Sequence, residues 1–255
     1  MSGAAQVVKY GGAAMQDGGA RAAVAEALRT VRADGATPYV VHGGGPAIGQ
    51  ALAAAGLEAR FVDGRRVTSD RALPVVEASL TLLGKRIAQE IGTAAALTGR
   101  DAGLLRGEPI DEALGRVGRV THVDVARLTA LAGIGLTPVL ACLALADDGE
   151  LLNVNGDEAA AAVAAALGAP VTFLTDVPGV LDTPDGDGPP LAELSAADAE
   201  ARLADGRIAG GMVPKVRAAL DALARGAPSA RIAAADDAPT ILAALRGTGG
   251  TALVP

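Results

Sequence analysis

Apolar residues arrive along this chain in two rhythms. Short runs rich in β-branched and aliphatic side chains, QVVKY, TPYVVH, TPVL, VTFLTD, ARIAA and TALV, predict strands over 6–10, 37–42, 137–140, 171–176, 230–234 and 251–254. Between them lie longer alanine-rich stretches in which apolar positions recur at helical spacing. They predict helices over 20–33, 46–55, 70–92, 123–132, 157–167, 196–205, 212–225 and 239–245. Strand and helix alternate from one end to the other, the pattern of a mostly parallel sheet with helices on both faces. Residues 104–120 break the rhythm with glycine-punctuated apolar runs and read as a hairpin excursion beside a site. A shift in composition near 145–149 marks the expected junction of two lobes, 1–147 and 148–255, and TPDGDGPP (183–190) is the only linker-like stretch.

The apolar fraction, 50% of 255 residues, is enough for one large core or two fused lobes. The charge balance, 22 basic against 29 acidic residues, and an aromatic complement of two Tyr and two Phe argue against a nucleic-acid partner. No run approaches the ~18 consecutive apolar residues of a membrane helix, and no signal-peptide pattern opens the chain, so a cytoplasmic protein is expected. Cys142, alone of its kind, lies in an apolar run and reads as a small buried hydrophobe.

Two scarcities sharpen the picture. Lysine occurs only at Lys9, Lys85 and Lys215, and asparagine only at Asn153 and Asn155. Lys9 closes the first predicted strand and is followed by Gly11 and Gly12, where a bare backbone can approach an anion beside a compact ammonium charge. The same residues would also suit a strand with a terminal lysine and a turn. Gly43-Gly44-Gly45-Pro46 leads from the second strand into a helix with proline in its first turn, an arrangement that offers free N–H groups to an anion. It is not the dinucleotide fingerprint, since Ile48 stands where the third glycine belongs, and no P-loop occurs. His42, at the end of that strand, reads as a satisfied structural residue.

Arg65-Arg66 offers a guanidinium fork for a carboxylate, although adjacent arginines on a loop are commonly a solvated pair. Asn153-Val154-Asn155-Gly156-Asp157 opens a helix; a cap is the plain reading, while two amides on one face and a carboxylate in the first turn suit a site. Asp176, in TDVPGV with Gly179, lies at the strand end where nucleotides bind open sheets. Lys215 follows Gly210-Gly211 in the first turn of a helix, where its charge opposes the dipole unless a polyanion binds.

In this order the motifs VKYGGAAM, VHGGGPAI, FVDGRRVTSD, LGRVGRV, LLNVNGDEAAAAVAAAL, TDVPGVL, GGMVPKVRAAL and GTALV resemble the amino acid kinase family, nearly end to end. The likeness is greatest to its members that phosphorylate N-acetylglutamate. It implies a three-layer α/β/α sandwich with the acyl amino acid on the N-terminal lobe and ATP on the C-terminal lobe. It further implies that Lys9 and Lys215 stabilise the transferring phosphoryl group while Asp157 orients both. Gly44, Gly45, Arg66 and Asn153 would bind the substrate; Gly11, Gly12, Asp176, Gly179 and Gly211 would bind the phosphates and nucleotide. Mg²⁺ would be held by ATP rather than by a protein cage, and no general base is needed for a carboxylate ionised at neutral pH.

Ala13 stands where many relatives carry Asn, Arg86-Ile87-Ala88 departs from their usual helix, and Gly156 replaces an alanine. The first strand begins almost at once, so the resemblance implies a homodimer without arginine inhibition. Two alternatives fit the same motifs: a kinase of an aminoadipate derivative, free or carried on an acidic protein that would need a basic rim at Arg116 and Arg119, and a non-catalytic sensor of ATP or an amino acid. A carrier aside, the aminoadipate alternative differs by one methylene, worth only about 1–3 kcal/mol of discrimination.

Overall fold

The computed structural model describes residues 3–15, 17–62, 64–182 and 188–255. Most of the TPDGDGPP stretch therefore lies outside the described residues. Eight strands form the main sheet: β1 (Ala5–Tyr10), β2 (Thr37–His42), β5 (Ala94–Leu97), β8 (Thr137–Ala141), β11 (Val171–Thr175), β12 (Glu193–Ser195), β13 (Ala230–Ala234) and β14 (Thr251–Val254). Their order is β12-β14-β13-β11-β1-β2-β8-β5, and every pairing is parallel except β13 with β14. A small closed barrel holds β6 (Leu105–Pro109), β7 (Val117–Val123), β9 (Leu143–Leu145) and β10 (Leu151–Val154), and β3 (Phe61–Val62) pairs with β4 (Arg65–Arg66) as a separate ribbon. The helices are α1 (Gly18–Ala33), α2 (Gly45–Ala54), α3 (Leu73–Ile91), α4 (Val125–Gly133), α5 (Gly156–Leu167), α6 (Ala196–Ala204), α7 (Met212–Ala224) and α8 (Ala238–Leu245).

The architecture is the expected α/β sandwich, and the six predicted strands and eight predicted helices are all present. The excursion at 104–120 resolves into β6 and β7, which pair antiparallel as a hairpin. The expected lobe junction, between residues 147 and 148, falls in the turn joining β9 and β10, two strands of the same barrel. Two apolar cores lie on the two sides of the main sheet. One gathers Val7, Val41, Leu80, Leu128, Val163, Phe173 and Val216; the other gathers Val8, Leu28, Val40, Ile87 and Leu174. Alternate residues of β1 and β2 point into different cores, as a strand covered on both faces requires.

What positions the site is the place of β1. It runs between β2 on one side and β11 on the other, with Lys9 in register with Val41 and with Phe173. The carboxyl ends of β1, β2, β8 and β11 therefore emerge along one edge, at the point where the strand order reverses, the crevice where open α/β sheets bind ligands.

Candidate active site

Lys9 sits at the end of β1 with only 8% of its surface exposed. The next turn is stitched to the neighbouring one by Gly43 N–H donating to the Tyr10 carbonyl at 3.0 Å. A Cβ on Gly11 would lie 3.0 Å from Lys9 Nζ, so the bare glycine lets the lysine side chain fold along its own strand end. Gly44 precedes α2; a Cβ there would meet Leu80 Cδ2 at 2.9 Å, so its absence lets the glycine loop seat on α3.

Opposite these loops, Asn155 caps α5: its Oδ1 accepts from Asp157 N–H at 2.8 Å and from Glu158 N–H at 3.3 Å. The cap fixes two carboxylates in the first helical turn, where the macrodipole favours negative charge. Asp157 Oδ1 lies 2.8 Å from Lys9 Nζ, both side chains 10% exposed. Among the described residues no donor is aligned with that oxygen for a hydrogen bond, so the contact is an ion pair held by charge.

The third wall is the β3–β4 ribbon. Phe61 stands across from Arg66, and the guanidinium lies 4.6 Å from the ring centroid. Arg66 Nη2 donates to the Gly45 carbonyl at 3.0 Å, while its Nη1 is buried with no acceptor among the described residues. Burial pushes the guanidinium below its ordinary range. Asn153 is buried beside it and donates through Nδ2 to Thr68 Oγ1 at 3.0 Å. Thr68 in turn donates to the Arg66 carbonyl at 2.8 Å, so one buried chain of hydrogen bonds links β10 to β4.

These walls enclose a cavity of about 230 Å³. Lys9, Gly11, Gly12, Gly44, Gly45, Arg66, Asn153 and Asp157 all line it, so eight residues expected from separate motifs meet in one place. Gly211 instead lines a larger groove of about 920 Å³ between α5, α7 and β7, which adjoins the cavity at Arg65, Asn155 and Asp157. Lys215, Asp176 and Gly179 border neither space. Asp176 is exposed at the end of β11; the Thr175 hydroxyl, 2.9 Å away, holds its carboxyl below the usual carboxylate range, and the charges of Lys215 and Lys9 add to this. Lys215 thus shares the electrostatic neighbourhood of Asp176, and among the described residues Asp157 pairs with Lys9 alone. Gly179 is buried, and a Cβ there would meet Thr251 Oγ1 at 2.6 Å.

The two asparagines divide their work: Asn155 is a cap and Asn153 a member of the buried hydrogen-bond chain. Cys142 is buried as expected, yet it also lines the cavity, and burial pushes its thiol up to about 11. His42 is fully buried. Its Nδ1 faces the Gly43 carbonyl at 3.0 Å, its Nε2 has no partner among the described residues, and desolvation lowers its pKa to about 4. It does not line the cavity. Sequence reasoning missed Thr68, although it stands inside the GRRVT motif, and Glu158, whose only signal was a second acid in the first turn of α5.

A profile of the amino acid kinase family matches residues 5–234. The chain belongs to the amino acid kinase family. Within the family it is 54% identical to acetylglutamate kinase of Deinococcus radiodurans, over 98% of this chain and 100% of that protein. It is 48% identical to an acetylglutamate kinase of Thermus thermophilus, over 91% of this chain and 94% of that one. Among solved structures, smu.665 from Streptococcus mutans UA159 superimposes with a TM-score of 0.82 at 27% identity, covering 98% of each chain.

Proposed function

We propose that this kinase transfers the γ-phosphoryl group of ATP to the side-chain carboxylate of N-acetyl-L-glutamate, giving N-acetylglutamyl 5-phosphate and ADP in arginine biosynthesis. The observation that carries it is the pairing, in one small cavity, of a buried unpartnered guanidinium donor on Arg66 with the Lys9–Asp157 ion pair. Arg66 has one bond to the Gly45 carbonyl, but its buried Nη1 has no acceptor among the described residues, which suits an anionic ligand, and a guanidinium fork matches a carboxylate. The acetylglutamate kinase relatives name the substrate.

In this reading Arg66 and Asn153 take the α-carboxylate side of the substrate, and Gly44 and Gly45 offer N–H groups to it. Lys9 and Lys215 spread their charge over the phosphoryl group in flight, with Asp157 keeping Lys9 in place. Gly11 and Gly12 approach the phosphates; Gly211, Asp176 and Gly179 belong to the nucleotide side, contributed by the C-terminal lobe. The bond to the γ-phosphorus forms from a carboxylate oxygen as the bond to the β–γ bridging oxygen breaks. The nucleophile, with an intrinsic pKa of about 4.3, has no proton to lose. Catalysis is then alignment and charge stabilisation. Mg²⁺, which neutralises phosphate charge, is taken to ride on the nucleotide's phosphates, as in phosphoryl transfer generally.

The carrier-protein alternative loses its basic rim, because Arg116 is bound to Asp70 and Asp148 and Arg119 to Glu108. The homodimer implied by the resemblance is tested by sizing with light scattering, against a monomer or a hexamer. No helix among the described residues is long and apolar enough to cross a membrane.

Hydroxylamine trapping of acyl phosphate tests the reaction, with N-acetylglutamate, N-acetylaminoadipate and glutamate offered in parallel. Turnover of N-acetylglutamate that is lost in Lys9→Ala and Lys215→Ala is the expected result. Faster turnover of the aminoadipate, or none of the three, would overturn it.

A further inference from the structure

Arg66 sits on the least supported element near the site. Among the described residues β3 and β4 pair only with each other, two residues to a strand, and a lone ribbon of this kind is marginal in water. On its N-terminal side the ribbon rests on the stacked Phe61, itself 55% exposed. Beyond β4 the chain is held by Val67 N–H to the Arg60 carbonyl and Thr68 N–H to the Leu114 carbonyl, both at 2.9 Å.

Besides the Arg66 bond to the Gly45 carbonyl, one further tie leaves the ribbon in another direction. Arg65 Nη2 donates to Glu158 Oε1, reaching from β4 to the first turn of α5. Glu158 is no floating surface acid: its N–H is bound by the Asn155 cap, one residue from the Asp157 that holds Lys9. Arg65 lines both the cavity and the outer groove, so the pair stands in the wall between the two spaces. Its Nε is buried without a partner among the described residues, so the side chain is seated in that wall rather than waving in solvent. The two side chains remain 31% and 32% exposed, which makes the pair breakable and salt-sensitive.

Resting on the acetylglutamate reading above, we propose that Arg65 and Glu158 are positioning residues. Their ion pair is a clasp that holds the β3–β4 ribbon against the capped end of α5, so that the Arg66 fork is already in place when the acyl amino acid enters. A fork that must first be ordered by its ligand binds more weakly, because ordering is then charged to binding. The clasp therefore acts on acceptor affinity more than on the chemical step.

The test compares the unmodified protein, Glu158→Gln, Arg65→Met and the double variant, by steady-state kinetics and by hydrogen exchange of the ligand-free protein. Each single variant is expected to raise KM for N-acetylglutamate about two- to five-fold, the size of one partly exposed ion pair. Changes in kcat and in KM for ATP should be smaller, and the double variant should be no worse than the more affected single. Added salt should raise KM in the unmodified protein and have less effect in the variants. Amides of residues 60–67 should exchange faster in all three variants while those of β1 and α5 keep their rates. Unchanged KM, additive effects in the double variant, or exchange that speeds up throughout the molecule would each overturn the clasp. If the unmodified protein fails to phosphorylate N-acetylglutamate, the proposed reaction is wrong, and the clasp stands or falls on exchange at 60–67 alone.

Discussion

Replacing Asp157 by Asn should destabilise the fold more than replacing Lys9 by Met, although both break the same ion pair. At 2.8 Å and an effective dielectric constant of ~20, the gross attraction is about 6 kcal/mol, against which both desolvation penalties are set. Asp157→Asn strands an ammonium that is 8% exposed, and Asp176, a carboxylate that feels the Lys9 charge, is itself exposed to water. Removing one partner of a buried pair costs about 3–5 kcal/mol. Lys9→Met strands a carboxylate instead, but one in the first turn of α5, where the helix dipole contributes about 0.3–1 kcal/mol in its favour, and methionine still fills the place of the lysine stem. At ~2–4 °C per kcal/mol, Asp157→Asn should melt about 6–20 °C lower than the unmodified protein, with Lys9→Met between them. Urea and thermal melts of the three proteins in parallel decide it. A Lys9→Met protein as unstable as Asp157→Asn, or an Asp157→Asn protein that melts no lower than the unmodified one, would refute the claim that the pair is a buried charge balance anchored by the helix end.

Three further outcomes are expected. Gly156→Ala should stabilise by about 0.4–1 kcal/mol in a urea melt, because a Cβ there finds Gly43 Cα at 3.5 Å and Lys9 Cε at 3.6 Å, ordinary contact, and the unfolded chain loses freedom; a lower midpoint would refute it. Cys142, with its thiol raised to about 11, should react with iodoacetamide at pH 8 at least ~100-fold more slowly in the native protein than in urea, and equal rates would contradict its burial. His42 stays neutral when folded down to about pH 4, whereas the unfolded chain takes up a proton near 6.5. The unfolded state thus binds more protons in that window, and roughly 3 kcal/mol of stability should be lost as pH falls from about 6.5 to 4. His42→Asn, which can keep a donor toward the Gly43 carbonyl, should flatten that part of the urea-midpoint profile, and an unchanged slope would assign the acid sensitivity elsewhere.

The strands legible in the sequence were those whose residues favour pleated, buried backbone, such as VTFLT in β11 and TPYVVH in β2. β5 was not legible, because AAAL carries little β preference; it becomes a strand by pairing with β8 at the sheet edge, a tertiary effect no local pattern encodes. The barrel strands β9 and β10 were hidden for a related reason: three or four residues around a turn are too few to show a period. At the site, the lysine and asparagine scarcities pointed to Lys9, Asn153 and Asn155, which do converge on the cavity, and equally to Lys215 and Lys85, which do not line it. The division of labour between Asn153 and Asn155 was beyond sequence, since a helix-cap amide and an amide in a buried hydrogen-bond chain share one composition and differ only in which groups stand nearby. Arg65 looked like half of a solvated pair because its partner, Glu158, is brought to it only by the closure of the ribbon onto α5.

The position of β1 at the middle of the sheet also governs how the chain is made. β2 follows closely behind β1 in the chain and can cover one of its edges soon after both are made. The other edge belongs to β11, which is synthesised far later, so at ~5–20 residues per second an apolar strand edge stays open for on the order of 10–30 s. Such an edge is a template for pairing with other chains. The strand that carries Lys9 to the site is, during synthesis, the one in greatest need of a chaperone.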